Sequence, residues 1–253
     1  MRELLGPGLD ALVAATGGSR KVLHEAEREW AAAVVTALGI QIIVDGLERI
    51  DPARSYLVAP LHEGFADVLA VVQLPLDLTW VVRDELLELP YFGAYLGNAG
   101  HVAITPEAPR AALRAMLRGA GAAFAAGESM VVFPQGSLLG VETAFQAGVF
   151  RLAERFGVPV LPVVLTGSHR VWDYPFTPNL RRGQSIRMTV LDPIEPSSAV
   201  AGMRDLERDM KRRALAATDA PARRYQPERD GIWEGYRFEI DPDFPDVAVR
   251  AGR

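Results

Sequence analysis

Tyr56-Leu57-Val58-Ala59-Pro60-Leu61-His62-Glu63-Gly64-Phe65-Ala66-Asp67, residues 56–67, reads as an apolar strand, then a turn, then the start of a helix. Tyr56 to Ala59 is the strand-like run. Pro60 disfavours a helical residue before it, and Gly64 permits a tight turn. From Asp67 to Leu74 the apolar residues suit a helix, which Pro75 stops.

The same unit recurs along the chain. Strand-like runs are Gln41 to Val44, closed by Asp45-Gly46, then Leu78 to Val82, His101 to Ile104, Met130 to Phe133, Val160 to Leu165 and Ile186 to Leu191. Helical patterns lie between several of them. Ala108 to Ala126 is Ala-rich, with Arg110, Arg114 and Arg118 forming a solvated stripe, and Thr143 to Phe156 ends at Gly157. This alternation predicts an α/β domain with a largely parallel central sheet flanked by helices. The apolar strand from Gly157 to Val164 carries two prolines, Pro159 and Pro162, which predict an edge or irregular strand, because proline donates nothing to a ladder.

Working outward, residues 1–40 form a helical segment: a short, loosely amphipathic helix up to about Gly18, then a stronger helix from about Lys21 to Leu38. Residues 41–220 form the main domain, with a turn at Pro193 to Ser198 and a charged surface helix from Met203 to Ala217. Residues 221–253 carry Tyr225, Trp233, Tyr236, Phe238 and Phe244 among Asp, Glu and Pro, and are expected to wrap the domain as an aromatic tail. The apolar N-terminal helices either lie in a membrane interface or pack on the sheet, and both readings stay open here.

Composition narrows the function. The 253 residues are 49% hydrophobic and 23% charged, which suits one large domain with a full core. Without cysteine there are no disulfides and no thiolate metal sites. A net charge of -5, with Lys21 and Lys211 the only lysines, argues against nucleic acid as a partner. The longest apolar stretch, Ala31 to Val44, is too short to span a bilayer and is interrupted by Thr36, Gly39 and Gln41. The first residues lack the basic start and apolar run of a signal peptide. These features predict an intracellular protein, soluble or peripheral on the cytoplasmic face of a membrane.

The chemistry centres on His62 and Asp67. A neutral imidazole can take a proton from a hydroxyl, and a carboxylate beside it fixes its tautomer and stabilises the imidazolium. On a continuous helix five positions rotate the chain by roughly 500°, so the two side chains would diverge. They meet only if His62 sits in the turn and Asp67 in the first helical turn, where a carboxylate also suits the helix dipole. A structural alternative is a loop histidine beside a capping aspartate. The other histidines make poorer bases: His24 has Glu29 on a different helical face, His101 opens a strand, and His169 has no acid at matching spacing. A second segment, Phe133-Pro134-Gln135-Gly136-Ser137, follows a buried strand. Its Gly-containing turn, at a strand end, could aim backbone N–H groups at an oxyanion.

Taken in order, these segments resemble the glycerolipid acyltransferases typified by the bacterial PlsC-type 1-acylglycerol-3-phosphate acyltransferases. The resemblance covers roughly Glu29 to Leu191. Ile42 to Ile50 looks like the family's lead-in strand, His62…Asp67 matches His-x4-Asp, and Leu89-Pro90-Tyr91-Phe92-Gly93 to Ile104 is similar to the second block. Phe133 to Ser137 stands where the family has Phe-Pro-Glu-Gly-Thr, and Val158 to Val163 matches the fourth block. The resemblance implies that His62 activates an acceptor hydroxyl, with Asp67 orienting it. The donor is an acyl thioester, either acyl-CoA or acyl-carrier protein, and the acceptor a lipid-like hydroxyl compound, as in phospholipid synthesis. Gly64 and Phe133, Pro134, Gln135, Gly136 and Ser137 would line the substrate site. The family requires no metal or bound cofactor.

The chain departs from the family at four places. Pro106 and Leu138 stand where arginines are usual, Gln146 where a lysine is usual, and Gln135 replaces the glutamate of the third block. A phosphate favours charge-assisted, bidentate partners. The expected acceptor is therefore not simple lysophosphatidate, unless Arg83, Arg110 or Arg170 reaches its phosphate from elsewhere. A standard lysophosphatidate acyltransferase and a degenerate lipid-binding member are the alternatives. A serine hydrolase is disfavoured, since Gly136-Ser137-Leu138-Leu139-Gly140 places its serine wrongly for a nucleophile elbow.

Overall fold

The structure, a computed structural model, describes residues 9–89, 93–137, 143–172 and 180–217. The readings made for the first eight residues, for Pro90, Tyr91 and Phe92, for Leu138, and for the aromatic tail lie outside the described residues.

Seven strands form one sheet. They are β1 (Gln41–Asp45), β2 (Leu57–Leu61), β3 (Leu78–Arg83), β4 (Val102–Ile104), β5 (Ser129–Val131), β6 (Val160–Thr166) and β7 (Ser185–Val190). Their order is β1-β7-β6-β2-β5-β3-β4. Every neighbouring pair is parallel except β6 with β7. The expected α/β architecture with a largely parallel sheet is what the chain adopts. One consequence governs the site: β6, β2, β5, β3 and β4 all end on the same edge, where the loops after them gather.

The helices are α1 (Leu9–Ala15), α2 (Arg20–Leu38), α3 (Asp67–Val71), α4 (Gly93–Asn98), α5 (Pro109–Ala125), α6 (Ala147–Phe156), α7 (Ser168–Val171) and α8 (Met203–Ala217). They cover both faces of the sheet. Because side chains alternate along a strand, Leu57 and Ala59 join α5, α6 and α8 in one core layer, with Ala120, Phe150 and Met210. Val58 points the other way into a layer shared with α2 and α3, among Trp30, Val34, Leu69 and Leu161. Each fully buried Leu or Phe is worth about 1.5–3 kcal/mol against exposure. The buried stripe of α2 therefore has a packing partner in the sheet. Ser19 caps its start, and Gly39, at φ 62°, closes it.

Four expectations need correction. First, of the edge or irregular strand expected around Val160, the edge reading fails and the irregular one holds: β6 is a central strand, flanked by β2 and β7, with its pairing to β7 interrupted. Pro162 is tolerated because the antiparallel partner is irregular there: regular pairing stops at Val163 with Val190, and a lone bridge joins Val160 to Ile194. The carbonyl of Pro162 still accepts from Leu191 N at 3.0 Å. Second, the helix expected from Thr143 begins at Ala147. Phe145 N donates to Glu207 Oε1 at 2.8 Å and Gln146 N to Pro134 O at 2.8 Å, so both amides are used across the fold. Third, α8 is not simply a charged surface helix, because Glu207 and Lys211 are buried and pair at 2.7 Å. Fourth, α3 stops at Val71. Gln73 N and Leu74 N continue with tighter bonds to Ala70 O and Val71 O before Pro75.

Gly167, where β6 turns into α7, has φ 93°, and a Cβ there would overlap the Ser185 carbonyl oxygen. Gly167→Ala is expected to lower stability by about 1–3 kcal/mol. In urea this reads as a lower midpoint with unchanged slope.

Candidate active site

His62 follows the last residue of β2, and Asp67 opens α3. The turn between them brings the two side chains together: His62 Nδ1 lies 2.6 Å from Asp67 Oδ2. That short distance suits a charge-assisted bond. The same oxygen accepts from Glu63 N at 2.8 Å and Gly64 N at 3.1 Å. Asp67 is fully buried, and its Oδ1 has no hydrogen-bond partner. With Nδ1 held by the carboxylate, Nε2 is the ring nitrogen left for proton chemistry. The His62 side chain is mostly buried but keeps 14% exposure, so the ring is not sealed from solvent. Asp67 does not cap α3 with its side chain; its carboxylate accepts from the amides of the turn before the helix and faces the imidazole at once.

The strand β5 supplies the next wall. Phe133 stacks on the His62 ring, with centroids 3.7 Å apart and planes 16° apart. Gln135 is buried, and its amide Nε2 approaches the His62 carbonyl at 3.5 Å. Gly136 takes φ 64° and donates to Phe133 O at 3.0 Å, which closes the Pro134-Gln135 turn. Its N–H is thus committed and cannot serve as an oxyanion donor without the turn opening. Ser137 is buried beside it. The predicted residues Gly64, Phe133, Pro134, Gln135, Gly136 and Ser137 therefore all belong to the two loops that meet at His62.

His169 has no acid at matching spacing along the chain, yet the fold brings a distant one beside it. Glu63 Oε1 lies 3.2 Å from His169 Nδ1, and Glu63 Oε2 accepts from Ser168 N at 2.9 Å. Spacing along the chain could not reveal this pair, because 105 residues separate Glu63 from Ser168.

The cations weighed for an acceptor phosphate fall in different surroundings. Arg83 ends β3 and lies 2.9 Å from Glu85 and 3.5 Å from Glu107. Arg110 is exposed on α5, and Arg170 is half-buried on α7, next to His169. Pro106 lies in the turn after β4.

A second polar cluster lies at the opposite edge of the sheet, where β3, β4 and β5 begin. Glu128 accepts from Arg20 Nε at 2.7 Å and Nη2 at 2.6 Å, from Thr79 Oγ1 at 2.5 Å, and faces His24 Nε2 at 3.1 Å. His24 Nδ1 faces Glu27 at 3.1 Å. Glu27 also accepts from Tyr95 Oη at 2.7 Å and lies 3.2 Å from His101. Burial works against the His24 imidazolium, but the two carboxylates outweigh it and raise its pKa to about 9. Burial alone would raise Glu27; hydrogen bonds from His101 and His24 outweigh it and hold the group at about 2. The sequence reading missed this cluster. The only local trace is His24 and Glu27 at i, i+3 on one helix face. Among the described residues no group of three or more His, Cys, Asp or Glu is arranged to hold a metal ion. No described helix is long and apolar enough to cross a membrane.

Residues 41–166 match the family model described as Acyltransferase. The chain is 28% identical over 138 residues to a 1-acyl-sn-glycerol-3-phosphate acyltransferase of Cocos nucifera, covering 53% of this chain and 44% of that protein. It is 29% identical over 136 residues to the protein of the same name from Pseudomonas aeruginosa, covering 53% and 52%. The chain spans about half the length of the curated relatives it matches. Among solved structures it is similar to the crystal structure of the 1-acyl-sn-glycerophosphate acyltransferase PlsC from Thermotoga maritima. The TM-score is 0.64, with 22% identity over 79% of this chain and 82% of that one, a likeness of fold.

Proposed function

The chain belongs to the PlsC-type glycerolipid acyltransferase family, and on that premise we propose that it transfers a fatty acyl group from an acyl thioester to a hydroxyl of a lipid-like acceptor. The observation that carries the reading is the 2.6 Å contact of His62 with a buried Asp67, at a strand edge beside the Phe133 to Ser137 turn.

The chemistry follows from the arrangement. His62 Nε2 takes the acceptor's hydroxyl proton as its oxygen attacks the thioester carbonyl. Asp67 stabilises the imidazolium that forms. The tetrahedral intermediate collapses with loss of the thiolate, which recovers the proton from His62. The products are an ester and a free thiol, and no covalent enzyme intermediate is required. Phe133 keeps the imidazole in plane while it shuttles the proton. Donor type, whether acyl-CoA or acyl-carrier protein, is part of the proposal, as is contact with a membrane surface.

For the acceptor, a neutral or weakly charged lipid hydroxyl is favoured. Arg83, the cation at the end of β3, already has Glu85 and Glu107 beside it, and Pro106 offers no charge. The names of the relatives favour a second reading, lysophosphatidate, with Arg170, next to His169 on α7, as the candidate cation. Thiol release from one acyl-CoA, measured against a panel of acceptors, tests both. Unphosphorylated glycerolipids are expected to support turnover at least as well as lysophosphatidate. A strong preference for lysophosphatidate, lost in Arg170→Ala, supports the second reading, and no thiol release with any acceptor refutes the first and the second alike.

A further inference from the structure

Three consecutive residues inside the His62…Asp67 turn reach across to the chain leaving β6. The Glu63 side chain accepts from Ser168 N at 2.9 Å and from Ser168 Oγ at 3.3 Å, and its other oxygen lies 3.2 Å from His169 Nδ1. Gly64 is packed so closely that a Cβ would stand 3.1 Å from both His169 N and Ser168 Oγ. The Phe65 ring lies 5.2 Å from that of Trp172. The partner segment is itself fixed, since Gly167 is seated against the Ser185 carbonyl and β6 is a central strand.

The backbone of these residues has a different task. Glu63 N and Gly64 N both bind Asp67 Oδ2, the oxygen that also holds His62. Residue 63 therefore grips the catalytic carboxylate with its main chain and the neighbouring strand exit with its side chain.

We propose that Glu63 is a positioning residue: its carboxylate ties the peptide that cradles Asp67 to Ser168, with His169 close beside it, and so fixes the reach of the His62 imidazole. This inference rests on the acyl-transfer reading for its effect on rate, but not for its structural content. A five-residue turn with a glycine inside has freedom to spare. A catalytic base gains from being held, because a displacement of about 1 Å can cost roughly 10²-fold in rate. Fastening the turn to an adjacent parallel strand supplies that rigidity without touching the substrate.

The test compares the full chain with Glu63→Ala, Glu63→Gln and Glu63→Asp. Two measurements are made: the kinetics of thiol release from acyl-CoA, giving kcat and KM, and the far-downfield proton resonance of the short His62 Nδ1–Asp67 bond, assigned by its absence in His62→Ala. In Glu63→Ala the resonance is expected to shift or broaden, and kcat to fall about 10²-fold with KM nearly unchanged. Glu63→Gln keeps an acceptor for Ser168 N–H and is expected to recover most of the rate and the resonance. Glu63→Asp keeps the charge but is one methylene short of Ser168, so it is expected to resemble Glu63→Ala; it carries the same comparison if the alanine variant does not fold. An unchanged resonance in Glu63→Ala or Glu63→Asp overturns the proposal, as does a loss expressed mainly in KM, which would mean direct contact with substrate. If even the native chain releases no thiol, the acyl-transfer reading fails while the resonance still decides the role of Glu63.

Discussion

Replacing His62 by alanine is expected to leave a folded protein whose kcat for thiol release from acyl-CoA is lower by about 10²–10⁴-fold, the contribution of a positioned general base. The fold should survive for a local reason. Asp67 Oδ2 keeps two backbone donors, Glu63 N and Gly64 N, when the imidazole is removed, so the buried carboxylate is not left bare. The loss should fall on kcat, because the imidazole acts in the transition state and anchors neither substrate. Asp67→Asn is the sharper companion. Its carbonyl oxygen still suits Glu63 N, Gly64 N and His62 Nδ1–H, which all meet at one atom, but the negative charge that stabilises the imidazolium is gone. Losing the carboxylate's action on a catalytic histidine costs up to about 10⁴-fold. Thermal midpoints within a few degrees of the native chain, with both rates depressed, are the expected pair of results. A purified His62→Ala protein that retains most of its activity would remove His62 from the mechanism.

How much of this was legible in the sequence depends on distance along the chain. Features set by neighbours were readable. The helix Met203–Ala217 occupies the residues its pattern marked, Gly39 and Gly157 close helices in the left-handed conformation, and His62 meets Asp67 across the expected turn. Features set by residues about a hundred positions apart left no periodic trace. Glu63 reaches Ser168, and Arg20 reaches Glu128, through pairings that only the strand order creates. The burial of Lys211 was hidden for a similar reason. A lysine on a charged helix reads as solvated until a buried Glu207 and the Phe145 ring are brought against it. Pro162 misled because a proline's cost depends on whether the facing strand needs its N–H, and there the facing ladder is interrupted.

Glu128→Ala is expected to be strongly destabilising, by about 3 kcal/mol or somewhat more, the scale for removing one partner of a buried charge cluster. Partial exposure of Arg20, at 39%, places the effect at the lower end of that scale. Glu128 joins three elements: Arg20 and His24 on α2, Thr79 on β3, and its own position ahead of β5. Without it the His24 imidazolium keeps only Glu27, and Arg20 keeps the Ala99 carbonyl. The sign of the pH dependence follows from the shifts. His24 is raised from 6.5 to about 9, so its contribution is full below pH 6.5 and is lost as pH rises to 9. Glu27 is lowered from 4.5 to about 2, so its contribution is full above pH 4.5 and is lost as pH falls toward 2. Glu128, also held below its ordinary value, acts in the same direction on the acid side. The two groups together contribute fully only between pH 4.5 and 6.5. Urea unfolding of the native chain and Glu128→Ala should therefore differ most in that window, and the difference should shrink toward pH 9 as His24 loses its proton in the native protein. A gap that stays constant from pH 5.5 to pH 9, or one well under 1 kcal/mol, would mean that the cluster does not hold α2 to the sheet through charge.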